Sequence, residues 1–300
     1  MTATYRPAGA TGKALIRHFN AATLWNLPAS SQAPADPAGQ FAALAALGVR
    51  GFQHPFPAIL GSPPMPLVGM GRVDRPEDAA RLAQEHKAAG YELTTLHVGT
   101  GLESDEEIDA LIGAIITASD RHDYPLFVET HRATVTQDIY RTLQLIRRHP
   151  EIRFNADLSH YYTGHEMTYG DIARKFDAME PIFRRVRYMH GRIGTPCCAQ
   201  VALSGADDDR EFVDHFREMW TQAMRGFAET ASAGEVLPFA PELLPYELSV
   251  GDQTHRFYYA RRLNMADDAA EESDRWEQAR YLFAIADSCA AEAGLKGSPG

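Results

Sequence analysis

The fold is decided by the stretch Asp123–Glu166, which reads DYPLFVETHRATVTQDIYRTLQLIRRHPEIRFNADLSHYYTGHE. Two short apolar runs in this stretch, Leu126–Val128 and Ile152–Phe154, predict two strands. Between them, the segment Gln137–Arg148 carries apolar residues at helical spacing and predicts a helix. A strand, a helix and a second strand at this spacing are typical of a βαβ unit, in which both strands lie parallel in one sheet.

Each of the two predicted strands ends in side chains that bind metals well. Glu129 and His131 follow the first run, and Asp157 and His160 follow the second. Burying such groups costs on the order of several kcal/mol unless something pairs with them, and a divalent metal is a suitable partner. Because Asp157 and His160 are three residues apart, we expect the strand to end near Asp157, so that the chain can turn His160 back over the site.

The length and composition are those of an ordinary globular protein. We predict one domain over residues 1–300, in which residues 1–13 form a loose arm. A hydrophobic fraction of 45% and a charged fraction of 23% are typical of such domains. The net charge of -11 disfavours a nucleic-acid or membrane partner, because anionic surfaces of that kind attract basic patches.

Location and assembly follow from weaker features of the sequence. No apolar run approaches the ~20 residues that span a bilayer, and no charged and then apolar leader opens the chain. Cys197 and Cys198 are adjacent, a spacing that predicts neither a disulfide framework nor a zinc site. We therefore expect a cytoplasmic protein. The helical spacing of Phe212, Phe216 and Trp220 is typical of a core or of a subunit contact, and we expect a homo-oligomer.

Strands and helices alternate along most of the chain, which predicts a parallel sheet. We expect an eighth strand within residues 190–210, and the Pro- and Gly-rich segment up to Val73 is predicted to be a loop. The predicted strands are Ala14–Trp25 with its exit loop, Gly51–His54, Tyr91–Val98, Leu126–Val128, Ile152–Phe154, Arg187–Ile193 and Val236–Ala240. The predicted helices are Ala38–Val49, Arg75–Gly90, Ser104–Asp120, Gln137–Arg148, Asp171–Val186, Asp208–Ala233 and Ser273–Ala293.

This alternation favours an α/β fold, a single-domain (β/α)8 TIM barrel, and leaves a doubly wound open sheet as the alternative. Neither GxGxxG nor GxxxxGK[ST] follows the first strand, so a nucleotide-binding sheet loses its main support. None of the four lysines lies at a strand end, which disfavours Schiff-base chemistry. A GxSxG nucleophile turn is also absent from the sequence.

In β/α barrels the catalytic groups lie at the carboxyl ends of the strands. Four such ends carry residues of metal-binding type: Glu129, Asp157, His190 and Glu242. This oxygen-rich set suits Mn²⁺, Mg²⁺ or Co²⁺, with Zn²⁺ and Fe²⁺ as alternatives. A cation there could hold two neighbouring oxygens of a sugar or polyol and acidify the adjacent C–H, which a flanking carboxylate would take. Arg192 could bind an enolate or a carboxylate through its planar donors.

The other polar residues at strand ends have two interpretations each. His54 and His97 are predicted either to be hydrogen-bonded structural groups or to act in the site. Cys197 and Cys198 follow the strand that carries His190, but no neighbour in the sequence would stabilise a thiolate. We therefore predict an incidental role for both cysteines.

The segments FVETHR, NADLSH, MHGRIG and FAPELLPY, in this order, resemble the xylose-isomerase-like TIM barrel family of sugar phosphate isomerases and epimerases. The resemblance extends from about the second strand to the last. It implies a (β/α)8 barrel with one divalent metal bound by the four ligands named above, and Mn²⁺ is the first choice for this metal. It also implies that Glu129 and Glu242 shuttle the substrate proton, and that His160 and Arg192 touch the substrate.

The sequence departs from the family at three places. Gln53 stands where relatives often carry a glutamate at the end of the second strand. His131, and the loop that holds Cys197, Cys198 and Gln200, are not features of the best-known epimerases. His131 is the position where this chain's own chemistry is expected to differ.

The sequence thus predicts a metal-dependent isomerase or epimerase that acts on a ketose, sugar acid or polyol. The alternative is a lyase of the same family with His131 or His160 as general base. An abasic-site endonuclease would need several clustered metals and a basic groove, which the acidic balance and the single predicted ligand set disfavour. A fourth hypothesis is a non-catalytic barrel that uses the metal only for stability.

Overall fold

Eight parallel strands form a closed barrel in the computed structural model, which describes residues 2–54, 64–250, 252–263 and 271–296. The barrel closes where the first strand pairs in parallel with the last, with Ala14 opposite Val236. This closure confirms the predicted (β/α)8 barrel, and the open-sheet alternative is wrong. The strands are β1 Ala14–Asn20, β2 Val49–Gln53, β3 Leu67–Val73, β4 Tyr91–Val98, β5 Leu126–Glu129, β6 Phe154–Ala156, β7 Val186–Gly191 and β8 Val236–Pro241.

Helices connect the strands and cover the outside of the barrel. Among the described residues they are α1 Pro37–Ala46, α2 Pro76–Ala88, α3 Asp105–His122, α4 Ile139–Arg148, α5 Ser159–Gly164, α6 Ile172–Phe183, α7 Glu211–Thr230 and α8 Arg275–Glu292. A short 3₁₀ turn, Ala21–Leu24, follows β1. An antiparallel hairpin of β9 Glu247–Val250 and β10 Gln253–Arg256 follows β8. None of the helices described is long and apolar enough to cross a membrane.

Local signals in the sequence start and stop these helices where expected. A capping box forms at the start of α3: the Glu107 carboxylate accepts from the Ser104 amide at 2.8 Å, and the Ser104 hydroxyl accepts from the Glu107 amide at 3.3 Å. The same helix ends at Asp123, whose φ of 43° is left-handed and cannot continue the helix.

The predicted position of the eighth strand is wrong. No strand lies between residues 192 and 210, all of which are described; the missing strand is β3, in the segment predicted to be a loop. Its glycines conceal it in the sequence, yet the packing of α2 requires them. A Cβ on Gly69 would lie 2.4 Å from Nδ1 of His86, and one on Gly71 would lie 2.9 Å from Cδ1 of Leu82. Pro55, at which the second predicted strand breaks, lies outside the described residues.

The barrel interior holds a small apolar layer below the carboxyl ends of the strands. Phe127 lies two residues before Glu129 and so points to the same side of the strand; it is 1% exposed and packs in this layer. Tyr5, from the segment before β1, packs in the same layer and donates its hydroxyl to Glu92 at 2.5 Å. The carboxyl ends of the strands therefore rest on a filled core. β6 begins at Phe154 and not at Ile152. The strand ends just before Asp157, as predicted.

The contact between α6 and α7 gives a test of the packing. A Cβ on Gly226 of α7 would lie 2.7 Å from the carbonyl group of Phe183, which is backbone and cannot rotate away. We expect Gly226→Ala to lower the free energy of unfolding by roughly 1–3 kcal/mol. A Cβ on Gly113 of α3 would meet no atom of the described residues within 4 Å. Gly113→Ala should therefore stabilise the protein by roughly 0.5–1 kcal/mol. Urea denaturation of both variants decides this, and equal effects would contradict the close approach.

Candidate metal centre

The four predicted ligands meet at the carboxyl end of the barrel. Glu129 is the last residue of β5, Asp157 follows β6, His190 lies near the end of β7, and Glu242 follows β8. All four are buried, and one potential ligand atom from each lies within 4.8 Å of the others. Four separate strands thus bring three carboxylates and one imidazole to a single point.

His190 lies between the two glutamates. Its Nδ1 is 3.4 Å from Oε2 of Glu129 and 3.3 Å from Oε2 of Glu242. Burial opposes the charged imidazolium, but the two carboxylates outweigh burial and raise the pKa of His190 to about 10. Burial likewise opposes the charge on each glutamate. His97 and His190 nevertheless hold the pKa of Glu129 well below its usual range, and His190 with Arg192 lowers the pKa of Glu242.

Arg192 supplies the second positive charge. Its Nη2 donates to Oδ2 of Asp157 and lies 3.3 Å from Oε2 of Glu242. The guanidinium carbon lies 4.6 Å from the centre of the Tyr259 ring, a cation–π contact that the sequence did not suggest. Nη1 of Arg192 is buried and has no hydrogen-bond acceptor among the residues described. A substrate oxygen is a natural acceptor for this donor.

Gln53 fixes how His190 is presented to the site. Its Oε1 lies 2.7 Å from Nε2 of His190, and its Nε2 donates to the Thr95 hydroxyl at 2.7 Å. The second bond orients the amide, so its oxygen must accept the Nε2–H of His190. Nδ1 then faces the carboxylates. A histidine that binds a metal through one nitrogen usually donates its other N–H to a carbonyl in this way, so the site fits a cation.

Further side chains orient the carboxylates. Asn155 donates to Oε2 of Glu129 at 3.0 Å, and Asn20 donates to Oε1 of Glu242 at 3.1 Å. Oδ1 of Asp157 accepts from the amide and the hydroxyl of Ser159, at 3.0 and 2.6 Å. Sequence reasoning missed these partners. Strand parity could have identified Asn155, which lies two residues before Asp157, but nothing local links Asn20 to a residue 222 positions away.

A second possible ligand group was not predicted. His97 and His131 each offer an atom close to Glu129, and Nε2 of His97 lies 3.2 Å from Oε1 of Glu129. Nδ1 of His131, however, accepts the Ala133 backbone N–H at 3.1 Å. A histidine that binds a metal through Nε2 would carry a proton on Nδ1. That proton would point at the Ala133 N–H, and two donors cannot form a hydrogen bond. In this arrangement His131 directs an Nε2–H donor into the site and is not a ligand.

The remaining predicted residues lie at different distances from the centre. His160 is buried on α5, and its Nε2 is 3.2 Å from Nη2 of Arg192. Because a guanidinium nitrogen can only donate, His160 accepts this hydrogen bond. Burial lowers the pKa of His160 well below its usual range, and burial lowers that of His131 to about 4. His54 packs at 5.6 Å against the Phe52 ring and belongs to neither ligand group. Cys197 and Cys198 are exposed in the loop after β7, and neither belongs to a ligand group.

A cavity of about 630 Å³ adjoins the centre. Glu242, His97 and His131 line one side of it. This volume lies within the roughly 300–1,000 Å³ of sites that bind small organic ligands. The cluster is therefore accessible to a small molecule.

Comparisons with known proteins agree with the fold. No family model and no curated protein matches this sequence. A xylose isomerase-like TIM barrel protein from Mycobacterium smegmatis, solved in complex with magnesium, aligns over 93% of this chain and 98% of its own at 10% identity, with a TM-score of 0.50. The chain thus has the xylose isomerase-like TIM barrel fold.

Two further structures show weaker similarity. The probable 3-DHS dehydratase AsbF from Bacillus anthracis aligns over 60% of this chain and 74% of its own at 14% identity, with a TM-score of 0.44. Endonuclease IV from Thermus thermophilus aligns over 75% of this chain and 91% of its own at 16% identity, with a TM-score of 0.43. At such identities the likeness concerns the barrel and not the reaction.

The role of Gln53 can be tested by metal binding. We expect the chelator-treated protein to take up about one Mn²⁺ per chain, and Gln53→Leu to weaken this binding roughly 10–100-fold, because His190 loses the partner that orients it. Gln144→Leu, which alters an exposed contact with Arg147, should bind Mn²⁺ like the unaltered protein. Titration calorimetry measures both affinities. Unchanged binding by Gln53→Leu would contradict the assigned role.

The pKa of His190 predicts a pH dependence for the chelator-treated protein. The folded value of about 10 lies above the ordinary 6.5, so the stability that this group contributes is full below pH 6.5 and is lost as the pH rises towards 10. Between pH 7 and 9 the loss should be about 1 kcal/mol per pH unit in the free energy of unfolding. His190→Asn should remove this slope, whereas His255→Asn, on the exposed β10, should retain it. An unchanged slope in His190→Asn would refute the assignment.

Proposed function

We propose that this protein is a divalent-metal-dependent isomerase or epimerase that moves a proton next to a carbonyl or hydroxyl group of a ketose, sugar acid or polyol. One observation carries the proposal: Glu129 and Glu242 lie on either side of His190, at 3.4 and 3.3 Å, and Glu242 lines the adjoining cavity. Two carboxylates so placed can remove a proton from one face of a carbon and return it to the other.

Glu129, Asp157, His190 and Glu242 would hold the cation. Three carboxylates and one imidazole suit Mn²⁺ or Mg²⁺ and also accept Co²⁺, Zn²⁺ or Fe²⁺. The Mycobacterium smegmatis protein of the same fold binds magnesium, a cation that prefers oxygen ligands. When bound, the cation would polarise a substrate carbonyl and so acidify the neighbouring C–H.

The chain's own residues would carry the proton. Glu129 and Glu242 belong to strands that are separated in the barrel by β6 and β7, so their carboxylates approach a bound carbon from different directions. Asn155 and Asn20 hold the two carboxylates in place by donating to one oxygen of each. Such fixed geometry lowers the cost of reaching the transition state.

Arg192 and His131 would bind the substrate, and His160 would support Arg192. The buried Nη1 of Arg192 can donate to a developing enolate oxygen, where a charged donor is most effective. The Nε2–H that the Ala133 contact assigns to His131 provides a second, neutral donor. His160 holds Arg192 through the 3.2 Å contact to Nη2. All three roles stabilise negative charge on substrate oxygens.

The lyase alternative has less support. A histidine base needs a free lone pair that faces the substrate. On His131 the Nδ1 lone pair accepts from the Ala133 amide, and on His160 the Nε2 lone pair accepts from Arg192. An endonuclease remains disfavoured by the net charge of -11. The cytoplasmic location, the homo-oligomer and the absence of nucleic-acid and membrane partners stay predictions.

The experiment is hydrogen exchange in heavy water with the Mn²⁺-loaded protein and a panel of ketoses, sugar acids and polyols. We expect one substrate class to gain deuterium at carbon without losing a group. Glu129→Gln and Glu242→Gln should each lower the exchange rate roughly 10²–10⁴-fold when Mn²⁺ is kept saturating, because each removes a proton acceptor.

Leu102→Ser, at a residue that is 91% exposed, serves as the control and should exchange at the unaltered rate. Exchange that is always accompanied by an eliminated product would establish the lyase. A protein that binds Mn²⁺ but exchanges nothing in the panel would refute the isomerase, and a loss of thermal stability on chelation would then point to a structural metal.

A further inference from the structure

The cavity beside the metal centre has two chemically different sides. Glu242, His97 and His131 form the polar side next to the metal centre, and the lining also includes the polar residues Arg72, Thr95, Gln253 and His255. Its other side is mainly hydrocarbon, and Trp25 and Phe257 contribute to it. A substrate that fills the cavity must therefore meet both kinds of surface.

The apolar side is a defined cluster that we call the apolar wall. It consists of Ala22 and Trp25 after β1, Leu244 and Leu248 after β8, and Phe257 after the hairpin. The Trp25 and Phe257 rings lie 6.3 Å apart and are inclined by 30°. These residues pack as one cluster, apart from the main core, and all of them line the cavity. Two chain segments that are distant in sequence thus combine to build one apolar surface beside the ligands.

A small, fully hydroxylated substrate does not match this wall. Hydroxyl groups that leave water for a hydrocarbon surface lose hydrogen bonds, at a cost that the wall cannot repay with donors or acceptors. The polar side also needs only a few oxygens to satisfy a cation, Arg192 and His131. The volume of about 630 Å³ leaves room for a second, non-polar part of the ligand.

We propose that the substrate is amphiphilic: its vicinal oxygens bind at the metal centre, and an aromatic ring attached close to them packs on the apolar wall. The inference rests on the proposed function for the placement of the oxygens. Flat rings favour Trp and Phe as neighbours, because offset and edge-to-face contacts add to simple burial. The aryl group would then determine specificity, while the carboxylates carry out the chemistry.

Two hydroxamates that share one oxygen pair provide the probes. Acetohydroxamate and benzohydroxamate present the same adjacent hydroxyl and carbonyl oxygens to a cation. They differ in one substituent, which is a methyl group in acetohydroxamate and a phenyl group in benzohydroxamate. We expect Mn²⁺-loaded protein to bind benzohydroxamate at least about tenfold more tightly in titration calorimetry, since a buried ring of this size contributes at least that factor.

Variants of the wall decide whether this preference arises there. Phe257→Ser should reduce the preference to less than about threefold and leave the affinity for acetohydroxamate unchanged. Leu248→Ser, in the same wall, provides a second variant in case Phe257→Ser does not fold. Leu102→Ser removes an exposed leucine that does not line this cavity and should retain the full preference.

The outcomes separate this inference from the proposed function. Equal affinity for the two hydroxamates, or a preference that survives both wall variants, would overturn the amphiphilic substrate and leave the metal-dependent function standing. If neither hydroxamate bound, or if both bound equally well after the cation was removed with a chelator, the proposed metal centre would fail and the inference would fail with it.

Discussion

The burial of three carboxylates at one point is the constraint on which the rest of the site depends. Glu129, Asp157 and Glu242 lie together at the end of the barrel, where water cannot separate their charges. Such a cluster is tolerable only if positive charge accompanies it. Arg192 and the protonated His190 supply two charges, and His97, 3.2 Å from Glu129, supplies a third when it is protonated. A divalent cation that displaced the His190 proton would add one positive charge to the cluster.

Neutral amides complete this arrangement without altering the charge. Gln53, Asn155 and Asn20 each hydrogen-bond to a ligand, so the imidazole and the two glutamates keep their orientation whether or not the proton on His190 is present. A glutamate at position 53 would add a fourth carboxylate beside the site. Gln53 therefore has a physical role: it accepts a hydrogen bond from His190 and adds no negative charge.

The proposed chemistry and the proposed specificity use different parts of the barrel. The three carboxylates lie at the carboxyl ends of β5, β6 and β8, and the closed sheet fixes the positions of these strands. The apolar wall comes from the turn after β1 and from the segments around the β9–β10 hairpin. Connecting segments of this kind vary more freely than strands, so a β/α barrel can change its substrate while it keeps its reaction. Tyr259, which follows the hairpin, packs against Arg192 and so connects the hairpin region with the metal centre.

Much of the site could be predicted from the sequence because each ligand lies within, or at most three residues beyond, a predicted strand. Glu129, Asp157, His190 and Glu242 needed only strand periodicity and the rule that barrel strands converge at their carboxyl ends. The strand β3 could not be predicted, since its glycines resemble a loop until the packing of α2 explains them. The direction of the His131 donor, the Gln53–His190 bond and the apolar wall were decided by the tertiary structure alone. Each depends on atoms that the chain brings together only on folding, and the last two join residues far apart in the sequence.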